Sequence, residues 1–104
     1  MSKEIGNYYE NKAIEFLLKN NFRILGRNLR YARIEVDILA EKENVLHVIE
    51  VKYRSDLNYL RINFKQMERL QNYILINFGN NFFSLDLIIF NRDKMYFQEN
   101  IHLN

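Results

Sequence analysis

Four acids and one lysine have the types and spacing to do chemistry in this chain. Glu50 and Lys52 stand one residue apart in the apolar, β-branched run "VLHVIEVKY" (45–53), and they are its only charges. Strand side chains alternate with period two, so the pair shares a face. Glu35 and Asp37 stand one residue apart in "IEVDILA" (34–40) and share a face of their own strand by the same rule. If the two strands pair, three carboxylates and one ammonium converge on one patch of sheet. Burying several acids together is costly. It is tolerable where a divalent cation neutralises them, or at a solvated edge. Carboxylate and carbonyl oxygens are hard ligands suited to Mg²⁺ or Mn²⁺. The alternative is structural: a cross-strand ion-pair network around Glu50 and Lys52 on an exposed face, with Asp37 a strand-end residue. The fourth acid is Glu10. On a helical wheel at about 100° per residue it falls between Leu17 and Ile14, on the apolar side of the first helix, and so breaks that stripe.

These residues need elements to position them. Residues 2–20 carry Ile5, Tyr9, Ala13, Phe16 and Leu17 at helical spacing, with Ser2 as a cap and Asn20-Asn21 as a stop. "FRILGRNLR" (22–30) reads as a strand with a bulge or turn at Gly26. Residues 34–40 and 45–53 read as strands. The short polar turn "EKEN" (41–44) makes them an antiparallel hairpin. After a loop over 54–62, residues 63–78 read as a second helix between Asn63 and Gly79. Residues 82–90 form a further strand, and 94–98 a short last one. The order α-β-β-β-α-β-(β) predicts an α/β sandwich with a mixed sheet.

The 104 residues, 48% hydrophobic and without a visible linker, fit a single domain over 1–104. No apolar run reaches membrane-spanning length, and the opening "MSKEIGNYYE" has no signal-like segment, so a cytoplasmic location is expected. The absence of cysteine excludes disulfides, thiolate zinc sites and cysteine nucleophiles. Net charge is only +2, but it is segregated. Lys19, Arg23, Arg27, Arg30 and Arg33 lie between Glu15 and Glu35 with no acid among them, and Lys52, Arg54, Arg61, Lys65 and Arg69 form a second cluster. Such segregation suits a polyanion, or simply solvates a surface. His47 has the opposite parity to Glu50 and faces away from the acids, and His102 lies in the tail. Neither is assigned a role. Tyr31, Tyr53 and Tyr59 are either core aromatics or stacking platforms for bases.

A helix followed by a strand pair carrying D-x₁₂-E-x-K resembles the PD-(D/E)xK nuclease superfamily, with Asp37 and Glu50-Val51-Lys52 in the motif positions and Val36 where a proline is usual. More closely, the chain resembles the YraN-like family of small bacterial proteins, relatives of archaeal Holliday-junction resolvases. "GNYYENKAIEFLLKNNFRILGRNLR" (6–30), "IEVDILA", "VIEVKYRS", "KQMERL" (65–70) and "SLDLIIF" follow that family's segments in order, whereas the tail "IHLN" matches weakly. Tyr9 and Ile34 replace glycines usual in the family. The resemblance implies a restriction-endonuclease-like three-layer sandwich and metal-dependent hydrolysis of phosphodiesters, with DNA, branched or junction DNA included, as substrate. It implies Asp37, Glu50 and the Val51 carbonyl as ligands of Mg²⁺ or Mn²⁺, and Glu10 as a further acid acting through water or a second metal. Lys52 would orient water or stabilise charge on the phosphate, and Glu35 would support the ligands. Arg27, Arg30, Arg33, Arg54 and Lys65 would hold the nucleic-acid backbone. A resolvase would also be a homodimer, because it cuts two strands symmetrically. The competing expectation is a non-catalytic nucleic-acid-binding or protein-interaction module on the same fold.

Overall fold

Helix α1 (Lys3–Lys19) ends in a Schellman motif. Asn21 takes a left-handed φ of 68°, the Phe22 amide donates to the Leu17 carbonyl at 3.0 Å, and the Asn21 amide donates to the Leu18 carbonyl at 3.3 Å. Asparagine holds this position, where glycine is more usual, because its short polar side chain tolerates the left-handed region. The computed structural model describes residues 3–31, 34–53, 69, 72–73, 75–77, 82–92 and 94–100.

Five strands follow: β1 (Arg23–Tyr31), β2 (Ile34–Lys42), β3 (Val45–Tyr53), β4 (Phe82–Asn91) and β5 (Lys94–Gln98). They lie side by side in sequence order, with β3 and β4 parallel and every other pair antiparallel. The β1–β2 register shifts between Ile24 and Gly26, which puts the irregularity where the glycine predicts it. The β2–β3 turn is tighter than the four residues expected. The strands run to Lys42 and from Val45, and Glu43 and Asn44 turn the chain with φ of 52° and 65°. Two central residues at positive φ make a type I′ hairpin, whose twist matches that of the strands. Residues 69, 72, 73 and 75–77 are helical, within the expected second helix. The Ser2, Asn63 and Gly79 caps fall outside the described residues.

Two apolar layers flank the sheet. Ala13 and Leu17 of α1 pack over Ile38, Ala40, Ile49, Val51, Ile88 and Phe90. Val36, Leu39, Leu46, Val48 and Leu85 form the other face, against which Tyr73 packs. The β3 residues divide between these clusters by parity, so Glu50 and Lys52 belong to the face away from α1, and His47 to the α1 face beside Phe22. Among the described residues no helix is long and apolar enough to cross a membrane.

Candidate functional site

The β2–β3 ladder pairs Ile38 with Ile49 and goes no further toward the site end of the strands. Continuing that register would set Val36 opposite Val51. Instead the Asp37 carboxylate takes the place of the backbone: the Val51 amide donates to Asp37 Oδ2 at 2.8 Å. Val36 also packs in the same cluster as Leu39, three residues on, so strict alternation fails between them. β2 therefore twists away from β3 at Asp37, and a side chain closes the gap. The N–H and C=O of one strand residue point to the same edge, so the Val51 carbonyl also faces the Asp37 side of β3.

Both acids flanking this gap are buried, Asp37 at 7% exposure and Glu50 at 4%, while Lys52 is half-buried. Glu10 reaches the region from α1. Its side chain is 13% exposed, Arg27 Nη2 stands 4.0 Å from its Oε1, and Asn28 hydrogen-bonds it. Burial raises the pKa of Glu10, the negative charge of Asp37 raises it further, and Glu35 adds a smaller push in the same direction. Arg27 and Asn28 oppose the shift. Glu10, Glu35 and Asp37 are thus one electrostatic neighbourhood, with Glu35 itself exposed. Glu10 Oε1 and Glu50 Oε2 are buried and accept no hydrogen bond among the described residues.

The basic residues divide. Arg27 is drawn into the site, donating from Nη1 to Asn11 Oδ1 at 2.9 Å besides facing Glu10, and Arg30 is exposed on β1. Arg33, Arg54 and Lys65 lie outside the described residues. Asn28 is a site residue that composition and parity pass over. Its signal in the sequence is an asparagine inside a strand, and the structure gives it a left-handed φ of 53°. Sequence reading also passes over Asp86. This fully buried acid accepts from the Ser84 hydroxyl at 2.6 Å and the Asn100 amide at 3.0 Å, and its Oδ2 shares a hydrogen bond with His47 Nδ1. The Ser84 hydroxyl gives its proton to the Asp86 carboxylate, which His47 Nδ1 also bonds. The network ties β3, β4 and the segment after β5 together.

Among the described residues no three His, Cys, Asp or Glu side chains stand together as a ready metal cage. The donors fit a less demanding site. Mg²⁺ keeps several waters and takes one or two carboxylates, and here two buried carboxylates and a strand carbonyl flank one gap. Glu10, mostly buried and facing Arg27, adds a hard donor within the electrostatic neighbourhood of Asp37.

A five-stranded mixed sheet with α1 on one face and helical residues on the other, its acids at a splayed strand pair, defines a restriction-endonuclease-like fold. The solved structure of Hjc, a Holliday junction resolvase from the archaeal hyperthermophile Archaeoglobus fulgidus, is similar over 86% of this chain and 72% of that one, with a TM-score of 0.56 and 23% identity. Residues 9–90 match the family described as Uncharacterised protein family UPF0102, and the chain belongs to that family. A UPF0102 protein of Aliarcobacter butzleri is 37% identical over 97% of this chain and 98% of its own length. One from Flavobacterium johnsoniae is 54% identical over 56 residues, which are 54% of this chain and 46% of that protein.

Proposed function

We propose that this protein is a metal-dependent nuclease that hydrolyses phosphodiester bonds in DNA at the gap between β2 and β3. The observation that carries this reading is the splay at Asp37, where a buried carboxylate substitutes for the sheet ladder beside Glu50 and the Val51 carbonyl. A carboxylate held by a backbone amide cannot swing away, so the donor set is preorganised. Asp37, Glu50 and the Val51 carbonyl would hold Mg²⁺ or Mn²⁺, with Glu10 reaching it through water. A bound divalent cation would supply Lewis acidity toward the scissile phosphate and lower the pKa of water.

The chain's own residues do the rest. Lys52 shares the face of Glu50 and brings an ammonium to the point where negative charge grows on the phosphate. Glu10, with its pKa raised by burial and by Asp37, is suited to hold or receive a proton closer to neutrality than an ordinary glutamate. Arg30, exposed on β1, together with Arg33, Arg54 and Lys65, would grip phosphates without reading sequence. Likeness of fold to a junction resolvase makes branched DNA the first substrate to try, and symmetric cutting would require a homodimer.

The test is cleavage of labelled single-stranded, duplex, flapped and four-way-junction DNA with Mg²⁺ or Mn²⁺. Asp37→Asn keeps an acceptor for the Val51 amide and removes the charge, so it should fold and cut at least about 100-fold more slowly. Lys52→Ala should lose about 100- to 1,000-fold. Cutting that survives both substitutions, or survives chelator, would overturn the assignment. The alternative is a non-catalytic nucleic-acid-binding or protein-interaction module on the same fold. A binding module would show no cutting on any substrate but retain affinity in chelator, with steep salt dependence.

A further inference from the structure

On the side of α1 away from Glu10, the helix and the β4–β5 hairpin enclose an open groove of about 500 Å³. Among the described residues, Lys12, Lys19, Arg92 and Lys94 line it with one acid, Glu15. All four cations are exposed, and among the described residues none forms an ion pair. Tyr8 stands 54% exposed at the rim, edge-on to Tyr9, with Lys12 Nζ 5.2 Å from its ring centre. Arg92 holds the β4–β5 turn at a φ of 58°, where asparagine or glycine would sit with less strain. A cation therefore occupies a position that local backbone preference does not favour.

One wall of the groove adjoins the strand that carries Glu50 and Lys52. Tyr9 on its wall stacks on Tyr53 at 4.2 Å and 15°, and Tyr53 directly follows Lys52 on β3. A chain lying in the groove would therefore approach the end of the strand that carries Glu50 and Lys52.

We propose that this groove binds a single-stranded segment of nucleic acid, with its phosphates on Lys12, Lys19, Arg92 and Lys94 and a base stacked on Tyr8. Excess positive charge selects a polyanion, and the exposed ring selects unpaired bases among polyanions. Base faces are hidden in a duplex, and an acidic peptide has none. The inference rests on the reading that nucleic acid is the substrate, and it extends that reading to the unpaired strand of a branched structure.

The test is fluorescence anisotropy in chelator with labelled oligothymidine, a duplex of the same length and polyglutamate. The proteins are the full chain, a Lys19→Glu/Arg92→Glu/Lys94→Glu variant and Tyr8→Ala. The substituted groove residues are exposed, so the variants should keep the wild-type circular dichroism. The triple variant should bind oligothymidine about tenfold or more weaker, with its salt slope reduced by about 2. Tyr8→Ala should lose at least about fivefold on the single strand and nothing on the duplex. Unchanged single-strand affinity in both variants, equal losses on duplex, preferential binding of polyglutamate, or no single-strand binding by the full chain would each overturn the proposal. Groove-dependent binding without cutting by the full chain would sink the nuclease reading and keep the groove. Cutting by the full chain with normal binding by the groove variants would do the reverse.

Discussion

Glu10 puts a carboxylate where burial and the Asp37 charge both resist its ionisation. The sign of the consequence follows from linkage. Well below the ordinary value of 4.5, Glu10 is protonated in folded and unfolded chains alike and costs nothing. As pH rises, the unfolded chain releases this proton first, because the folded pKa is the higher one. Stability therefore falls as pH rises through that window, and the penalty is complete once pH has passed the folded pKa. Glu10→Gln keeps the shape and removes the charge, so its melting temperature should exceed that of the wild type at pH 7 and converge with it below about pH 4. An equal offset at both pH values would mean that packing, not charge, separates the two proteins. Asp86 is a buried acid whose oxygens are satisfied by Ser84, the Asn100 amide and His47. Removing it orphans buried partners, each at about 1–3 kcal/mol. Asp86→Ala should therefore cost about 3 kcal/mol or more in denaturant unfolding, and Ser84→Ala only about 1 kcal/mol.

At the scale of elements, the β2–β3 hairpin sets the geometry of the acids, and its turn carries a correctable strain. Glu43 sits at a φ of 52°, which glutamate tolerates poorly and asparagine well. Glu43→Asn should stabilise the protein by about 0.5–1 kcal/mol, measured by denaturant unfolding, with no effect on the site. A loss of stability would mean that the glutamate side chain makes a compensating contact. This hairpin also marks how far the sequence could be read. Both strands were legible because β-branched runs stand on either side of a polar turn, and Gly26 announced the irregularity in β1. The shared face of Glu50 and Lys52 was legible from parity alone, as was the departure of His47 to the other face. The new role of Asp37 was not. Parity assumes that β2 stays in register, and the twist that sends the Asp37 carboxylate to the Val51 amide arises from how strands separate, which no local pattern encodes. Asp86 was missed for a related reason. Its partners come from β3, from its own strand and from beyond β5, and only the parallel β3–β4 pairing brings His47 opposite Ser84. Glu10 could be read because one charge in an apolar stripe is a local anomaly. Its companions Arg27 and Asn28 could not, since they meet it only through the docking of α1 on β1.

At the scale of the molecule, Glu10, Glu35 and Asp37 share one electrostatic neighbourhood where β2 leaves β3, and Lys12, Lys19, Arg92 and Lys94 line the groove on the other side of α1. Alone, such an acidic gap repels the phosphate it is proposed to cleave, so the fold and the function should both depend on neutralising it. A cation that binds the folded chain and not the unfolded one stabilises it by RT ln(1 + [L]/Kd). At a Mg²⁺ concentration one hundred times its Kd this is about 2.7 kcal/mol, several degrees in melting temperature for a chain of this size. Melting temperature should therefore rise with Mg²⁺ or Mn²⁺ in the wild type. The rise should be lost in Asp37→Asn and reduced in Glu10→Gln, whose charge penalty is already gone. Sodium chloride at matched ionic strength should not reproduce it, because screening acts on every exposed charge and least on the buried acids. A melting temperature indifferent to divalent cations would leave the acids as structural groups and shift the function to binding without cleavage. A rise that persists in Asp37→Asn would move the metal to another part of the surface.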